Sequence, residues 1–535
     1  MVFISYASKD LEKVKEMAGF IETTGQKCWY SDRDLDKGKE DWMALLMSTL
    51  GQSDKVLLYL TANAVESGDV KNEISNASAQ GKNVIPLIAQ DITIPDSFIY
   101  LIRKYEWIYA YKMDDNSVKD ILRKRLLENY NEKREAFWKT LQTKEYDEFV
   151  TSVMKRYYGL QFFTKINDKD FGVFCVLGKP SSKAQSIKDF DDLGDFEGSK
   201  LSNFDIREHQ TYTQNKWYAE YSTILDGKIR YPNRPGYMLD EIITDQDGFF
   251  DKFRAHIGTF AENVYSTHVL EYELYKAFGE FKEKDINNPV VWEQIKASLP
   301  IRNKMHEDAL TLHADNGIYY SLLRGTGRDS LLSVQMLVVI KSKRTHKYEV
   351  KIIQRSNDVV IKPGIYQFIP SGGFEILNDS DDDIYDDLEL EENFSPGCAI
   401  FREYLEELFN VPEFEGGGTG SIEERLLKDR RITVIEKMLR NGEADLQFLG
   451  SVVDLAGLRH ELSFVLVIHN EAYSETQFLA NEESKKGAIH NIPIQDFDNN
   501  RSIWKKIHGP SAAMWHLFTQ TQLFQSLIRE FNGTR

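Results

Sequence analysis

The stretch VFISYASKD, residues 2–10, decides the fold of the N-terminal part of this chain. It has the pattern of a short apolar strand that passes directly into a polar turn and the start of a helix. Three further apolar runs, at residues 27–30, 56–60 and 84–88, have the length of strands buried on both faces. Because helical segments separate these runs, residues 1–130 are predicted to form a doubly wound α/β domain with a parallel sheet.

Ligands of such sheets bind outside the carboxyl ends of the strands. Three polar segments fall at that edge: the turn after the first strand, the charged loop 32–42 and the segment 61–67. The last of these ends at Ser67, which predicts a helix N-cap and places Glu73 one to two turns into the following helix. We therefore expect the functional site of this domain at that edge, with Glu73 as its carboxylate.

In order and spacing, these segments resemble a TIR domain of the bacterial, NAD-cleaving kind. The resemblance implies a flavodoxin-like fold, NAD⁺ as the substrate and Glu73 as the catalytic residue, six positions after the capping serine as in the family. The family's charged loop also packs against a neighbouring TIR domain, so self-association is implied. By position, the residues that contact NAD⁺ would be Ser5, Ala7, Ser8, Asp34, Leu35, Gly38, Trp42, Ser67 and Asp69. At the last of these positions, many family members carry Trp.

Cleavage of NAD⁺ at the nicotinamide bond requires few catalytic groups. The leaving group is a cationic pyridinium that departs as a neutral molecule, so it needs little acid catalysis. The anomeric carbon of the ribose becomes oxocarbenium-like, and a nearby carboxylate stabilises that charge. A single glutamate at the mouth of the sheet is therefore sufficient in principle.

Length and charge indicate a protein of several domains that does not bind nucleic acid or membranes. A chain of 535 residues is too long for one core, and a net charge of −18 argues against broad affinity for nucleic acid or anionic lipid. No apolar run approaches the roughly 18 residues that a membrane helix needs. A strand at residue 2 argues against a signal peptide. We expect a cytoplasmic protein.

Residues 131–325 predict a central, mixed α+β region. Residues 134–158 and 257–281 have the periodicity of helices, and residues 172–178 that of a strand. This region contains no motif that carries chemistry, so the sequence does not disclose its role.

Residues 326–535 are rich in strands again, and residues 331–355 predict a β-hairpin. A further strand ends at residues 372–373, a Gly-Gly pair. After an acidic stretch at 379–392, which should remain extended because its charges repel one another, a helix carries the sequence REYLEE at residues 402–407. This order resembles the α+β Nudix fold, and REYLEE matches the Arg-Glu-x-x-Glu-Glu core of its signature helix.

Three glutamates of that helix, Glu403, Glu406 and Glu407, occupy positions i, i+3 and i+4 and therefore share one face. Their charges repel one another unless a cation neutralises them, which Mg²⁺ together with a substrate diphosphate would do. The resemblance implies a nucleotide or ADP-ribose-like ligand for this domain. Extra residues separate the glycines from the helix, and Phe409 stands where the signature places Gly, so hydrolysis and nucleotide sensing both stay open.

Together these features predict a cytoplasmic bacterial TIR effector of antiphage defence. It would hydrolyse NAD⁺ to nicotinamide and ADP-ribose under the control of its C-terminal Nudix-like domain. Two alternatives remain. One is a TIR cyclase that makes a cyclic ADP-ribose messenger, and the other is a TIR scaffold that only assembles and signals, with Glu73 idle.

Overall fold

The computed structural model describes most of the chain. The described residues are 1–23, 26–34, 42–103, 105–127, 130–179, 183–197, 217, 220–221, 235–312, 317–325, 327–355, 364–377, 390–391, 393–411, 422–478 and 489–533. Leu35 and Gly38 lie outside these ranges, as does most of the acidic stretch 379–392.

The chain folds into two compact units. The first consists of Met1–Trp138 and Thr213–Arg230, and the second of Lys139–Tyr212 and Tyr231–Arg535. Each unit has its own principal sheet.

The first unit contains a five-stranded sheet in which every neighbouring pair of strands is parallel. Its strands are β1 (Val2–Ser5), β2 (Cys28–Trp29), β3 (Lys55–Leu60), β4 (Asn83–Ile88) and β5 (Ile108–Tyr109). The order β2-β1-β3-β4-β5 is the flavodoxin-like order of a doubly wound fold. The fold class predicted for this part of the chain is therefore confirmed.

Helices cover both faces of this sheet. Side chains alternate along each strand, so Phe3 packs into the core on one face while Val2 and Ile4 pack into the core on the other. Burial on both faces explains why the strands are continuous apolar runs. The helices between residues 11 and 141 are α1 (Leu11–Thr23), α2 (Ser31–Asp34), α3 (Trp42–Gln52), α4 (Ala62–Glu66), α5 (Gly68–Ala79), α6 (Asp96–Ile102), α7 (Asp115–Leu127) and α8 (Tyr130–Leu141).

The second unit is built on an eight-stranded sheet. Six strands follow the order β14-β13-β12-β17-β16-β8, while β15 pairs with β12 and β18 pairs with β13. A three-stranded sheet, β10-β11-β9, and a two-stranded sheet, β6-β7, complete the unit. The strands are β6 (Thr164–Ile166), β7 (Lys169–Phe171), β8 (Val173–Leu177), β9 (Gly194–Glu197), β10 (Pro235–Thr244), β11 (Phe250–Thr259), β12 (Ser333–Lys341), β13 (Tyr348–Gln354), β14 (Tyr366–Phe368), β15 (Ser371–Gly373), β16 (Ala444–Asp454), β17 (His460–Ile468) and β18 (His490–Pro493).

One strand of this large sheet comes from far away in the sequence. β8 pairs with β16 in antiparallel register, with Leu177 opposite Gly450 and Val173 opposite Asp454. Residues 131–325 and 326–535, which the sequence predicted as separate regions, therefore share one sheet. The hairpin predicted over residues 331–355 is present as β12 and β13.

Helices pack on both faces of the eight-stranded sheet. Tyr404 and Ile435 belong to the core on one face, and Trp515 belongs to the core on the other. The helices from residue 144 onward are α9 (Lys144–Tyr158), α10 (Phe260–Asn263), α11 (Val269–Phe281), α12 (Pro289–Ala297), α13 (Pro300–Leu312), α14 (Gly317–Leu323), α15 (Pro396–Phe409), α16 (Ile422–Lys428), α17 (Arg430–Asn441), α18 (Ile494–Phe497), α19 (Arg501–Trp504), α20 (Gly509–Thr519) and α21 (Gln522–Gly533).

Two helix predictions for the central region need correction. The helix predicted over 134–158 is two helices, because Thr143 caps α9 by accepting a hydrogen bond from the Tyr146 amide at 3.3 Å. The helix predicted over 257–281 begins late. Its first residues continue β11, where Ile257 lies opposite Tyr237 of β10, and pairing with that strand overrides the helical pattern.

Candidate functional site

The predicted catalytic carboxylate lies at the carboxyl end of the first strand. Ser5 is the last residue of β1, and its Oγ donates a hydrogen bond of 2.6 Å to Oε2 of Glu73. Ser5 is fully buried and the side chain of Glu73 is nearly so. Two segments that are distant in the sequence therefore meet at one point.

The local sequence of α5 explains why Glu73 points inward. Ser67 caps the helix by accepting a hydrogen bond from the Val70 amide at 3.3 Å. The buried residues of the helix are Val70, Glu73, Ile74 and Ala77, at positions i, i+3, i+4 and i+7. Glu73 therefore occupies a position on the apolar stripe that most helices fill with an aliphatic residue.

This location changes the acidity of Glu73. Burial raises the pKa of Glu73 to about 7, the hydrogen bond from Ser5 opposes that rise, and the charge of Asp69 adds to it. Near neutral pH the group therefore exists in both protonation states. A carboxyl group tuned in this way is typical of a functional site.

Glu73 lies beside the point where the strand order of the sheet reverses. β1 is flanked by β2 on one side and by β3 on the other, so the crevice between β1 and β3 is the topological switch point. Polar side chains also join the ends of these two strands. Asp10 accepts hydrogen bonds from Thr61 Oγ1 at 2.5 Å and from Asn63 Nδ2 at 2.8 Å.

The other residues predicted to contact NAD⁺ near this crevice differ in exposure. Ala7 is buried two residues after the end of β1, and Ser67 is half-buried as the cap of α5. Ser8 and Asp69 are exposed. The contacts of these residues with NAD⁺ stay predictions.

The loop predicted to contact NAD⁺ is described only in part. The carboxylate of Asp34 accepts hydrogen bonds from the Tyr30 amide at 3.0 Å and from Arg33 Nε at 2.9 Å. Trp42 is the first residue of α3, and the description of this residue is limited to its backbone. Leu35 and Gly38 lie outside the described residues.

Comparison with protein families identifies the first unit. Residues 2–124 match the family model described as the TIR domain. This N-terminal segment is a TIR domain. The match covers less than half of the chain, and no curated protein matches it.

Two solved structures show weaker likenesses. The TIR domain of the Toll-related receptor TRR-2 from Hydra magnipapillata is 18% identical, with a TM-score of 0.20, over 23% of this chain and 93% of that one. A MutT/nudix family protein from Enterococcus faecalis is 16% identical, with a TM-score of 0.17, over 31% of this chain and 44% of that one. At such low scores, neither likeness supports an argument about function.

Beyond the TIR domain, the three predicted metal ligands do lie together on α15. The carboxylate of Glu407 accepts a hydrogen bond from the Ser371 amide at 2.9 Å. Arg402 donates to the Gly373 carbonyl at 3.1 Å and to Glu403 Oε1 at 3.3 Å, and its Nε lies 3.9 Å from Glu406 Oε1. The helix is therefore tied to β15 through these charged side chains.

The buried guanidinium of Arg402 lies beside Glu403 and Glu406. Because Arg402 is itself part of the Arg-Glu-x-x-Glu-Glu pattern, this contact does not argue against Mg²⁺, and the ion at these glutamates stays a prediction. Within the described part of the chain, no three His, Cys, Asp or Glu side chains are placed to hold a metal ion. In the same part of the chain, no helix is both long enough and apolar enough to cross a membrane.

The second unit also contains a polar cleft of about 370 Å³, which no sequence motif indicates. Lys351 lies at its buried side, donates to Asn491 Oδ1 at 2.5 Å, and has its pKa lowered by burial. The sequence alone does not identify Lys351 as a cleft residue, because its burial depends on β18 and neighbouring segments. The residues that line the cleft are Ile340, Ser342, Lys343, Arg344, Glu349, Lys351, Ser474, Glu475 and Asn491.

Proposed function

We propose that the TIR domain cleaves NAD⁺ at the nicotinamide–ribose bond, giving nicotinamide and ADP-ribose. The observation that carries this proposal is the buried Glu73 carboxyl, hydrogen-bonded to Ser5 at the topological switch point. Among the described residues, no cation forms an ion pair with this carboxylate, and its burial opposes ionisation. Such a group costs folding free energy, and a chemical role would explain why it is there.

In the proposed reaction, the bond between ribose C1′ and the nicotinamide nitrogen breaks, and its electron pair leaves with nicotinamide. Ionised Glu73 stabilises the positive charge that develops on the ribose. Water then bonds to C1′ and loses a proton, for which a carboxylate with a pKa near 7 is a suitable acceptor. Incubating the purified chain with NAD⁺ and separating the products by chromatography tests this reaction.

The role of Ser5 predicts a change in pH dependence. Its hydrogen bond stabilises the ionised form of Glu73, so Ser5→Ala is expected to raise the pKa of that carboxyl further. Because the ionised form is the active one, kcat/KM rises with pH through the pKa. The acid limb of the profile should therefore move to higher pH in the variant. An acid limb at the same pH in both proteins would contradict this role for Ser5.

Analysis of the reaction products distinguishes two alternative functions of the TIR domain. A cyclase would use the same glutamate but return ADP-ribose with its adenine bonded to C1′, and this product has a distinct retention time. A scaffold that only assembles would leave NAD⁺ intact. The buried, weakly acidic Glu73 favours an enzyme over a scaffold, because an idle carboxyl at that position only opposes folding.

We further propose that the TIR domain works as an assembly. The loop 32–42 would contact both NAD⁺ and a neighbouring TIR domain, so that turnover per mole rises with protein concentration. The proposed setting is the bacterial cytoplasm, where loss of NAD⁺ would act as an immune response against phage.

For the second unit we propose a Nudix-like, nucleotide-sensing role instead of hydrolysis. Among the described residues, no three acidic side chains are grouped to hold a metal ion, which supports sensing. The cleft offers Arg344 and Lys351 to the phosphates of a nucleotide or of ADP-ribose, and Lys343 as well if a phosphate displaces Glu475, with which it pairs at 2.8 Å. Binding there would change the rate of NAD⁺ cleavage, and by linkage an NAD⁺ analogue would change the affinity for the nucleotide by the same factor.

Sensing and hydrolysis predict different results for one assay. Under sensing, the wild-type chain with Mg²⁺ leaves ADP-ribose unconverted, and Lys351→Gln weakens nucleotide binding by about 10-fold or more. The exposed Lys505→Gln is the matched control and should bind as the wild type does. Conversion of ADP-ribose to AMP and ribose 5-phosphate, abolished by Glu406→Gln combined with Glu407→Gln, would instead show hydrolysis.

A further inference from the structure

The second unit contains a buried group of basic and hydroxyl side chains that the proposed function does not use. We call Tyr158, Arg302, His306, Arg328 and His460 the arginine–histidine cluster. Each of the five side chains is at most 6% exposed. These residues come from α9, α13, the segment before β12 and the start of β17. The cluster does not include the glutamates of α15, and none of its residues lines the cleft.

Tyr158 is the centre of one half of the cluster. Arg302 Nη1 donates to its hydroxyl oxygen at 2.5 Å, and His306 Nε2 lies 3.1 Å from the same oxygen. Burial lowers the pKa of His306 to about 3, with help from Arg302 and Arg328, so the imidazole is neutral. The neutral imidazole carries a single N–H, and its Nδ1 has no hydrogen-bond partner among the described residues.

Arg328 and His460 form the other half, at the end of α14. Arg328 Nη1 donates to the Ser321 carbonyl at 3.3 Å, and His460 Nε2 lies 2.6 Å from the carbonyl of the next residue, Leu322. Consecutive carbonyls therefore hold these two side chains side by side. The charge of Arg328 also lowers the pKa of His460 and of His306, which links the two halves.

Several nitrogens of the cluster are buried without a hydrogen-bond partner. In the described part of the chain these are Arg302 Nε, Arg328 Nε and Nη2, His306 Nδ1 and His460 Nδ1. The three guanidinium nitrogens are N–H donors, whereas neutral His460 donates from Nε2 to the Leu322 carbonyl, so its Nδ1 is an acceptor. A buried donor left unsatisfied costs about 1–3 kcal/mol. Native proteins rarely accumulate several such atoms at one place unless something absent from the protein chain satisfies them.

The charges of the cluster are also unbalanced. Arg302 has Glu273 beside it, and the neighbouring Arg459 lies 3.4 Å from Glu271. Arg328 differs, since no carboxylate among the described residues lies within ion-pair distance of it or raises its pKa. Burial lowers the pKa of Arg328 to about 10, with Arg302 adding to that effect, so the guanidinium is still a cation at neutral pH.

The loop before β12 is shaped to hold Arg328 in this position. The Arg328 amide donates to the Gly325 carbonyl at 3.0 Å, and Gly327 has a φ of 78°. A Cβ on Gly325 would lie 1.7 Å from the Leu239 carbonyl oxygen, so only glycine fits there. The backbone of this loop thus fixes the point from which the Arg328 side chain enters the cluster.

We propose that the arginine–histidine cluster binds a small oxyanion, a free phosphate or carboxylate or such a group on a small metabolite. A trapped water would satisfy the orphaned N–H groups, but it would not neutralise the Arg328 charge. An oxyanion does both, and the planar guanidinium fork suits its geometry. This site lies beyond the proposed NAD⁺ chemistry and does not depend on it.

The test is direct binding to the full chain, without NAD⁺ and at constant ionic strength with chloride as the background salt. Inorganic phosphate, AMP and succinate are titrated separately by calorimetry, so that the arms distinguish free phosphate, a phosphate ester and a carboxylate. At least one should bind at one site per chain. Arg328→Gln should weaken that binding about 10- to 100-fold, and Arg328→Lys, which keeps the charge and loses the fork, should weaken it less.

The exposed Arg529→Gln is the matched control and should bind as the wild type does. Absence of binding by all three probes up to about 10 mM would overturn the proposal, because it would leave trapped water as the occupant. AMP binding that Lys351→Gln removes belongs to the cleft; if every binding event is unchanged in Arg328→Gln, the proposal is overturned equally. If Arg328→Gln fails to fold, the wild-type titrations and Arg328→Lys decide the question.

Discussion

Replacing Glu73 by Gln is expected to lower the rate of NAD⁺ cleavage by at least about 100-fold, the low end for removing one electrostatic stabiliser from an active site. Gln keeps the size of the side chain and can still accept a hydrogen bond from Ser5, but it carries no charge to stabilise the developing positive charge on the ribose. The measurement is kcat/KM for nicotinamide release, over a series of protein concentrations because the TIR domain is proposed to assemble. The exposed Glu66→Gln, seven positions earlier, is the control and should retain full activity.

The same variant has a predictable effect on stability, which serves as a folding control. The pKa of Glu73 is higher in the folded chain than in the unfolded one, so wild-type stability decreases as the pH rises from about 4.5 to above 7. Gln does not ionise, so the variant does not lose stability over this pH range. At pH 8 the free energy of unfolding of the TIR domain should therefore be up to about 3 kcal/mol larger in Glu73→Gln. Wild-type turnover by this folded variant would show that the site has been assigned incorrectly.

Replacing Gly450 by Ala is expected to destabilise the second unit by about 3 kcal/mol or more. Gly450 lies at a β-bulge in β16 and has a φ of 135°, a conformation that residues with a side chain rarely adopt. A Cβ there would lie 2.1 Å from the Val176 carbonyl oxygen of β8. The substitution should therefore separate β8 from the eight-stranded sheet. Urea unfolding and hydrogen exchange of the β8 amides measure the effect.

Gly279→Ala is the matched control for this prediction. Gly279 is exposed near the end of α11, and nothing lies within 4 Å of the position that a Cβ would take. The same chemical change should there raise the free energy of unfolding by about 0.5–1 kcal/mol, because it reduces the freedom of the unfolded chain. An unchanged unfolding midpoint in Gly450→Ala would mean that β8 does not depend on the bulge for its place in the sheet.

The sequence by itself determined the parts of this protein that are encoded locally. The first strand, the cap at Ser67 and the three glutamates of α15 could be predicted because strand length, capping and helical spacing involve residues within a few positions of one another. Burial on both faces of the TIR sheet made its strands easy to recognise. Glu73 was identified from its spacing to Ser67 through the family resemblance, without knowledge of its neighbours.

The tertiary structure alone decided what depends on residues that are distant in the chain. The hydrogen bond from Ser5 to Glu73 spans 68 positions, and the raised pKa of that carboxyl follows from burial, which no local pattern reports. The pairing of β8 with β16 joined two regions that composition had separated, because backbone hydrogen bonds between strands carry no sequence signature. In the sequence, Arg328 is one arginine after a glycine-rich turn. Packing by α13, α14 and β17 makes it a buried cation with no carboxylate partner among the described residues. Periodicity in the sequence shows which face of a helix or strand is apolar. Which element packs against that face, and which charges come together at the contact, depends on how the whole chain packs.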